Sequence, residues 1–133
     1  MTPGFRTWLA ELFAPLGHVA VRRVFGFHGL YLGECMFGLV ADERIYLKTD
    51  EQNRKAYERE GSEPLSYAAH DGEHIITSYW EIPARLHDEP EELAEWARHA
   101  VAVAENSSTA KRRRARESRQ RPARRPARMN KQS

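Results

Sequence analysis

The chain has very little cysteine: Cys35 is the single one among 133 residues. One thiol excludes an internal disulfide framework and a zinc site built from several cysteines. Long apolar runs are missing as well, and no stretch reaches the ~18–20 residues that cross a membrane. The opening residues MTPGFRTWLAELF lack the basic and long apolar parts of a secretory signal. We therefore expect a cytoplasmic protein that does not associate with membranes.

Acidic residues are scarce at the end of the chain. Residues 107–133 hold 11 of the 21 lysines and arginines and one acid, Glu117, so they carry +10, whereas residues 1–106 carry −8. Aromatic residues are missing from 111–131, which contain two prolines. Dense like charge and proline oppose a packed structure. The sequence therefore predicts a folded domain over residues 1–106 and a disordered Arg-rich tail over 107–133, into which the last helix can fray.

The basic tail is the strongest local indication of a function. Its charge predicts salt-sensitive contact with DNA or RNA phosphates, without sequence preference. The lack of aromatic side chains argues against a platform on which single-stranded bases stack. The alternative is a solvated tail, or one that contacts the acidic domain of the same chain. The predicted nucleic-acid contacts are Lys111, Arg112, Arg113, Arg114, Arg116, Arg119, Arg121, Arg124, Arg125, Arg128 and Lys131.

Three helices are predicted within residues 1–106. The first presents one apolar face and ends at Pro15 and Gly17. The second is capped by Thr49 or Asp50, ends at Gly61 and has so few apolar residues that we expect it on the surface. The third is capped by Asp88. Its apolar stripe consists of Leu93, Trp96, Ala97, Ala100, Val101 and Ala104. We expect Trp8 and Trp96 in the core.

Between the helices, β-branched and aromatic residues indicate strands. Glycine or aspartate at short turns, as at Gly33-Glu34 and Asp71-Gly72, indicates hairpins and hence antiparallel pairing. The predicted order is helix, three strands, helix, two strands, helix. The fold class is therefore α+β, with two layers: a mostly antiparallel five-stranded sheet, covered on one face by the first and last helices. We expect Trp80, at the end of a strand, to be structural.

No residue set is typical of an active site. His70 and His74 flank a predicted hairpin turn, where they are either part of a small ligand set or simply exposed polar residues. Cys35 is either a nucleophile with a distant histidine or, inside a predicted strand, a small core residue. The glycine spacing fits no phosphate-binding motif. We therefore predict no catalytic residues, no metal ligands and no cofactor, and keep an unrecognised enzyme as the remote alternative.

An ordered set of short segments resembles the TfoX (Sxy) N-terminal domain family over about residues 5–104. The segments include Arg22-Arg23-Val24-Phe25-Gly26, Gly29-Leu30-Tyr31-Leu32, Ile45-Tyr46-Leu47-Lys48-Thr49-Asp50, Gly61-Ser62-Glu63-Pro64-Leu65 and Tyr79-Trp80-Glu81-Ile82-Pro83. Three positions depart from the family's usual residues, and all concern turns: Phe27, Gly33-Glu34 and Glu43. The basic tail stands where longer family members have a helical C-terminal domain, so the chain resembles a short form.

The resemblance implies a small α+β domain of bacterial competence regulators, which act with the cyclic-AMP receptor protein. It implies no enzymatic activity and brings no catalytic or cofactor residues to this chain. We therefore expect a non-enzymatic regulatory or adaptor protein. Its domain would bind a protein partner, within the transcription machinery by resemblance, and its tail would contact DNA or RNA non-specifically. The alternative is a plain protein-interaction module, able to form a homodimer, with no nucleic-acid role.

Overall fold

The computed structural model describes residues 1–24 and 26–120, with side chains as far as Ser107. Three α-helices, six strands and one 3₁₀ helix make up this part of the chain. In chain order they are α1 (Pro3–Leu12), β1 (Val19–Val24), β2 (Phe27–Leu32), β3 (Cys35–Ala41), β4 (Arg44–Lys48), α2 (Arg54–Arg59), β5 (Pro64–Ala69), β6 (Gly72–Glu81), the 3₁₀ helix (Ala84–Asp88) and α3 (Pro90–Gln120).

The six strands form one sheet in the order β1-β2-β3-β4-β6-β5, and every neighbouring pair is antiparallel. The predicted α+β class is confirmed, but the sheet has six strands and not five. Four strands, and not the predicted three, precede α2, and the first two are joined where Val24 of β1 pairs with Phe27 of β2 across a tight turn. Gly26 has φ +81, which a residue with a side chain rarely adopts, and this lets the chain reverse there.

The short turns follow the chemistry expected from the sequence. Gly33 has φ +63, the sign that the predicted type II′ turn requires at its first central position. The β5–β6 hairpin is also present, although its two-residue loop is His70-Asp71, one position before the predicted Asp71-Gly72. The turn from β3 to β4 differs, because Asp42 and Glu43 both have positive φ, 52° and 60°, without a glycine.

The main core lies between one face of the sheet and the helices. Leu9 and Phe13 from the first helix region, Phe37 and Leu47 from the sheet and Leu93 from α3 are all buried in it. Two of the three tryptophans are more exposed than expected. Trp8 and Trp96 are only half-buried at the core's edge, whereas Trp80 is 9% exposed and donates its indole N–H to the Thr77 carbonyl, at 3.1 Å. Trp80 is therefore structural, as predicted.

The second helix is shorter and more buried than the sequence suggests. It begins at Arg54, because Asp50 and Asn53 each accept the other's backbone N–H in a turn before the helix, at 2.8 Å. Thr49, one of the predicted caps, instead donates its hydroxyl to the Thr77 carbonyl of β6. The prediction of a surface helix is wrong at Tyr57, which is 1% exposed in the main core.

The third helix is 31 residues long and continues well beyond the predicted domain boundary at residue 106. It begins at Pro90, and the predicted cap Asp88 belongs to the preceding 3₁₀ helix. Residues 107–120, predicted to be disordered, have helical backbone. The physical reason is that alanine and arginine are good helix formers and the first proline of the tail comes only at residue 122. Residues 121–133 lie outside the described part of the chain.

Candidate functional site

The predicted nucleic-acid contacts divide between the end of α3 and the undescribed part of the chain. Six of them lie on helical backbone: Lys111, Arg112, Arg113, Arg114, Arg116 and Arg119. The other five lie outside the described residues: Arg121, Arg124, Arg125, Arg128 and Lys131. The basic run therefore begins as a direct continuation of a helix that belongs to the folded domain.

The first half of α3 packs against the folded domain. Ala97, Ala100 and Ala104 are buried against the sheet and are small enough for close packing. Cys35 of β3 lies 3.7 Å from the Val101 carbonyl, and Arg98 donates to the Pro15 carbonyl at 3.3 Å. Ala104 is the last buried residue that the structure describes in this helix. At ~1.5 Å per residue, the helix end at Gln120 lies ~24 Å farther along the axis.

The opposite face of the sheet carries a second apolar cluster. Strand residues point alternately to the two faces, so Ile45 and Leu47 join the main core while Tyr46 between them joins this cluster. Leu39, Tyr46, Leu65 and Tyr79 are buried there, and Phe27, Met36, Ala41 and Ile76 are partly buried around them.

The sheet curls over this second face. Phe27 of β2 and Tyr67 of β5 are separated by three strands in the sheet order, yet their ring centroids lie 5.9 Å apart in an edge-to-face contact. The pairing of β5 with β6 has a register shift between Pro64 and Leu65, a kind of irregularity that increases the local twist of a strand. The β5–β6 hairpin therefore borders a partly open cavity of about 500 Å³ on this face.

We call this cavity the sheet cup. Its walls come from five of the six strands and are almost entirely apolar. The lining residues are Val24, Phe27, Met36, Leu39, Tyr67, Ile76 and Tyr79. A concave apolar cavity of this size is typical of small-molecule sites, which span ~300–1,000 Å³.

Two cations lie on aromatic rings beside the cup. The Lys48 ammonium is 5.1 Å from the ring centre of Tyr79, and the Arg22 guanidinium is 4.7 Å from the ring centre of Tyr31. Burial raises the pKa of the Tyr79 phenol to about 12, with a smaller contribution from Tyr31. The Tyr79 hydroxyl is therefore neutral at physiological pH.

The residues weighed for catalysis or metal binding form no site in the described part of the chain. Cys35 is half-buried, and burial raises the pKa of its thiol, with Glu105 adding to the effect, which disfavours the nucleophilic thiolate. His74 pairs with Asp71 at 2.8 Å and stacks on Tyr67 at the exposed hairpin tip. No three metal-ligating side chains converge within the residues that the structure describes.

The cup is the feature that the sequence reasoning missed. Its signal was present in β3, whose run Cys35–Ala41 is apolar at consecutive positions and so has apolar side chains on both faces. Such a strand needs cover on both faces. The cover on the second face comes from the β5–β6 hairpin, and the contact of Tyr67 with Phe27 joins positions 40 residues apart, which local patterning does not predict.

No helix in the described part of the chain is both long and apolar enough to cross a membrane.

Two comparisons with known proteins bear on the family of this chain. A search of curated proteins finds no significant match. The family model of the TfoX N-terminal domain matches residues 11–104, which is most of the chain and nearly all of the folded part. This family is one of regulatory, non-catalytic domains connected with competence. The chain therefore belongs to the TfoX N-terminal domain family.

Proposed function

We propose that this protein is a non-enzymatic regulatory adaptor with two separate contact regions. The folded domain, residues 1–106, binds a protein partner of the transcription machinery. The basic end, residues 107–133, contacts DNA or RNA through phosphates, without reading sequence. The observation that carries the proposal is the charge division, −8 over residues 1–106 against +10 over residues 107–133, with the boundary between the two inside α3.

The charge division has a direct electrostatic consequence. The net negative domain repels a nucleic-acid backbone, whereas the basic end attracts it and releases its counterions. Because α3 continues beyond the core, the basic residues begin several residues after Ala104, the last buried position among the side chains that the structure describes. Nucleic acid therefore approaches the helix end, and the sheet and the first two helices stay accessible to a protein.

Salt-dependent binding to duplex DNA tests the role of the basic end. One variant replaces Lys111, Arg112, Arg113 and Arg114 with glutamine. The control variant replaces four exposed cations of the folded domain with glutamine: Arg6, Arg23, Lys55 and Arg59. We expect the plot of log K against log salt to become shallower by about 3–4 for the first variant, since each phosphate contact contributes ~0.9 to the slope. The control should keep the slope of the unaltered chain.

Two results would contradict the proposal. An equal loss of DNA affinity in both variants would mean that the net charge of the chain, rather than the position of the basic end, governs binding. Absence of binding in ~0.1 M salt, together with early elution from heparin, would favour the plain interaction module. In that case the open edges of the sheet at β1 and β5 are the surfaces to examine for dimer formation, by sedimentation of the full chain.

A further inference from the structure

We propose that the outer edge of β5 is a self-association site, at which two copies of the chain pair antiparallel about a two-fold axis at Tyr67. The pairing joins the two sheets into one continuous sheet. This inference concerns the folded domain alone and does not depend on the role of the basic end. It selects one of the two sheet edges and gives the register in which the copies meet.

Strand β5 has an accessible outer side. It stands last in the strand order, and β6 is the strand with which it pairs in the described part of the chain. Ser66, Tyr67 and Ala68, in the middle of the strand, are all exposed. An edge strand presents backbone N–H and C=O groups that its own sheet does not pair. Another extended strand satisfies these groups in order, so the partner that this edge fits is an extended backbone.

The two edges of the sheet differ in charge. Strand β5 has the sequence PLSYAA, without a charged residue, and its proline is at the first position. Strand β1 at the other edge has the sequence VAVRRV, and its Arg22 and Arg23 are exposed. Charged residues on an edge strand oppose pairing with another copy, because like charges then face each other. The β5 edge lacks this protection, so it is the edge that permits self-association.

The hairpin register determines which backbone groups point outward. Ala69 and Gly72 close a two-residue loop, and the closing pair of such a hairpin is hydrogen-bonded. Hydrogen-bonded pairs alternate along the strands, so the backbone groups of Tyr67 point to β6 and those of Ser66 and Ala68 point away from it. Antiparallel pairing about Tyr67 places Ser66 of each copy opposite Ala68 of the other. Each such pair can exchange both of its N–H···O=C bonds.

The side chains of the hairpin favour a second copy as the partner. Of the large apolar side chains described as exposed, Tyr67 and Ile75 lie on β5 and β6, and the third is Met1 at the chain terminus. Tyr67 is 38% exposed, and the two-fold axis places it beside the same ring of the other copy. Ser66 meets Ala68, both small and uncharged. The strand is therefore complementary to itself, and each contact is made twice across the axis.

Sedimentation equilibrium of the full chain, free of nucleic acid, tests the association in ~0.1 M and ~1 M salt. We expect a weak monomer–dimer equilibrium, with a dimer fraction that rises between ~10 μM and ~1 mM protein, because one strand pair buries less than the ~1,200 Å² of a stable interface. The dimer should persist in the higher salt, since no charged residue lies on β5.

Two results of this experiment would overturn the proposal. The first is a chain that remains monomeric at ~1 mM, which would leave the edge to a strand of another protein. The second is a dimer that dissociates in ~1 M salt, which would identify the contact as one between the basic end of one copy and the acidic domain of the other.

Proline substitutions locate the edge. Ala68→Pro removes an N–H that points outward from β5, and Arg23→Pro removes the corresponding outward N–H from β1. We expect Ala68→Pro to weaken dimer formation by at least about tenfold and Arg23→Pro to leave it unchanged, with far-UV circular dichroism confirming that both variants fold. Equal effects of the two substitutions, or a stronger effect of Arg23→Pro, would contradict pairing through β5.

A charge exchange at Tyr67 tests the register without a change in the backbone. Tyr67→Lys and Tyr67→Glu each place like charges opposite one another across the two-fold axis, so each variant alone should dimerise less than the unaltered chain. A mixture of the two brings opposite charges together, and we expect it to form dimers at least about fivefold more tightly than either variant alone. A mixture that dimerises no better than its components would overturn the two-fold axis at Tyr67.

Discussion

At the scale of single residues, Tyr57 combines a favourable ring with an unfavourable hydroxyl. The side chain is 1% exposed, and its ring packs edge-to-face on Trp96 with centroids 4.7 Å apart. No residue in the described part of the chain hydrogen-bonds its hydroxyl. Burial also raises the pKa of Tyr57, so the phenol stays neutral in the folded protein. A buried polar group without a partner costs free energy.

We therefore expect Tyr57→Phe to raise the free energy of unfolding by about 1 kcal/mol, because the ring contacts remain and the buried hydroxyl is removed. Tyr57→Ala should lower it by ~3–5 kcal/mol, since the ring itself is lost. Urea titrations of the two variants separate the contributions. A Tyr57→Phe variant less stable than the unaltered chain would show that the hydroxyl has a favourable partner.

The turn between β3 and β4 stores strain at Glu43. Asp42 and Glu43 both have positive φ, as a type I′ turn requires, yet neither is glycine. A left-handed conformation costs a residue with a side chain ~1–2 kcal/mol. We expect Glu43→Gly to stabilise the protein by about 1 kcal/mol in chemical denaturation.

The neighbouring hairpin provides the control for this substitution. Glu34 occupies the second position of the Gly33-Glu34 turn and has no positive φ. Glycine there gains no relief of strain and adds freedom to the unfolded chain, so Glu34→Gly should be destabilising. Similar effects of glycine at positions 34 and 43 would contradict the assignment of strain to Glu43.

At the scale of elements, Arg85 joins three segments of the chain. From the 3₁₀ helix its guanidinium pairs with Glu60 after α2 at 2.7 Å, and with Glu89 and Glu92 around the start of α3 at 3.1 and 2.8 Å. These hydrogen bonds lower the pKa of Glu60 and Glu92. A carboxylate with a lowered folded-state pKa stabilises the fold above its unfolded pKa and loses that contribution as the pH falls.

We expect Arg85→Met to be less stable than the unaltered chain at pH 7, with a difference that shrinks as the pH falls below the usual glutamate pKa of ~4.3. Denaturant titrations at neutral and acidic pH measure the difference. Lys55→Met, which removes an exposed cation from α2, is the control. A difference for Arg85→Met that stayed constant or grew on acidification would show that the carboxylates of this network do not carry its effect.

The predictions of helices and turns were most accurate where the structure depends on a few residues close together in the sequence. The apolar face predicted for the first helix packs on the core, with Leu9 and Leu12 buried, and Gly33 turns one hairpin as expected. The prediction of α2 was wrong at its start, because the Asp50–Asn53 pair closes a separate turn first. The burial of Tyr57 could not be predicted from its neighbours, since it depends on Trp96, 39 residues later in the chain.

At the scale of the whole molecule, the division of charge and the shape of the sheet have different origins. Composition alone predicted the acidic domain and the basic end, because charge is a property of residues and needs no contacts. Helical propensity within that end was underestimated, and α3 continues to Gln120. The cup forms between residues far apart in the chain, such as Phe27 and Tyr67, which come together only in the assembled sheet.

The most direct test of the two-region account is a titration of the ¹⁵N-labelled full chain with duplex DNA, followed by backbone amide shifts. The account predicts changes in residues 107–133 and little change in β1–β6, α1 and α2. Their size should decrease as salt is added, because phosphate contacts release counterions. Changes spread over the sheet or the first two helices, or changes insensitive to salt, would contradict the assignment of nucleic-acid contact to the basic end.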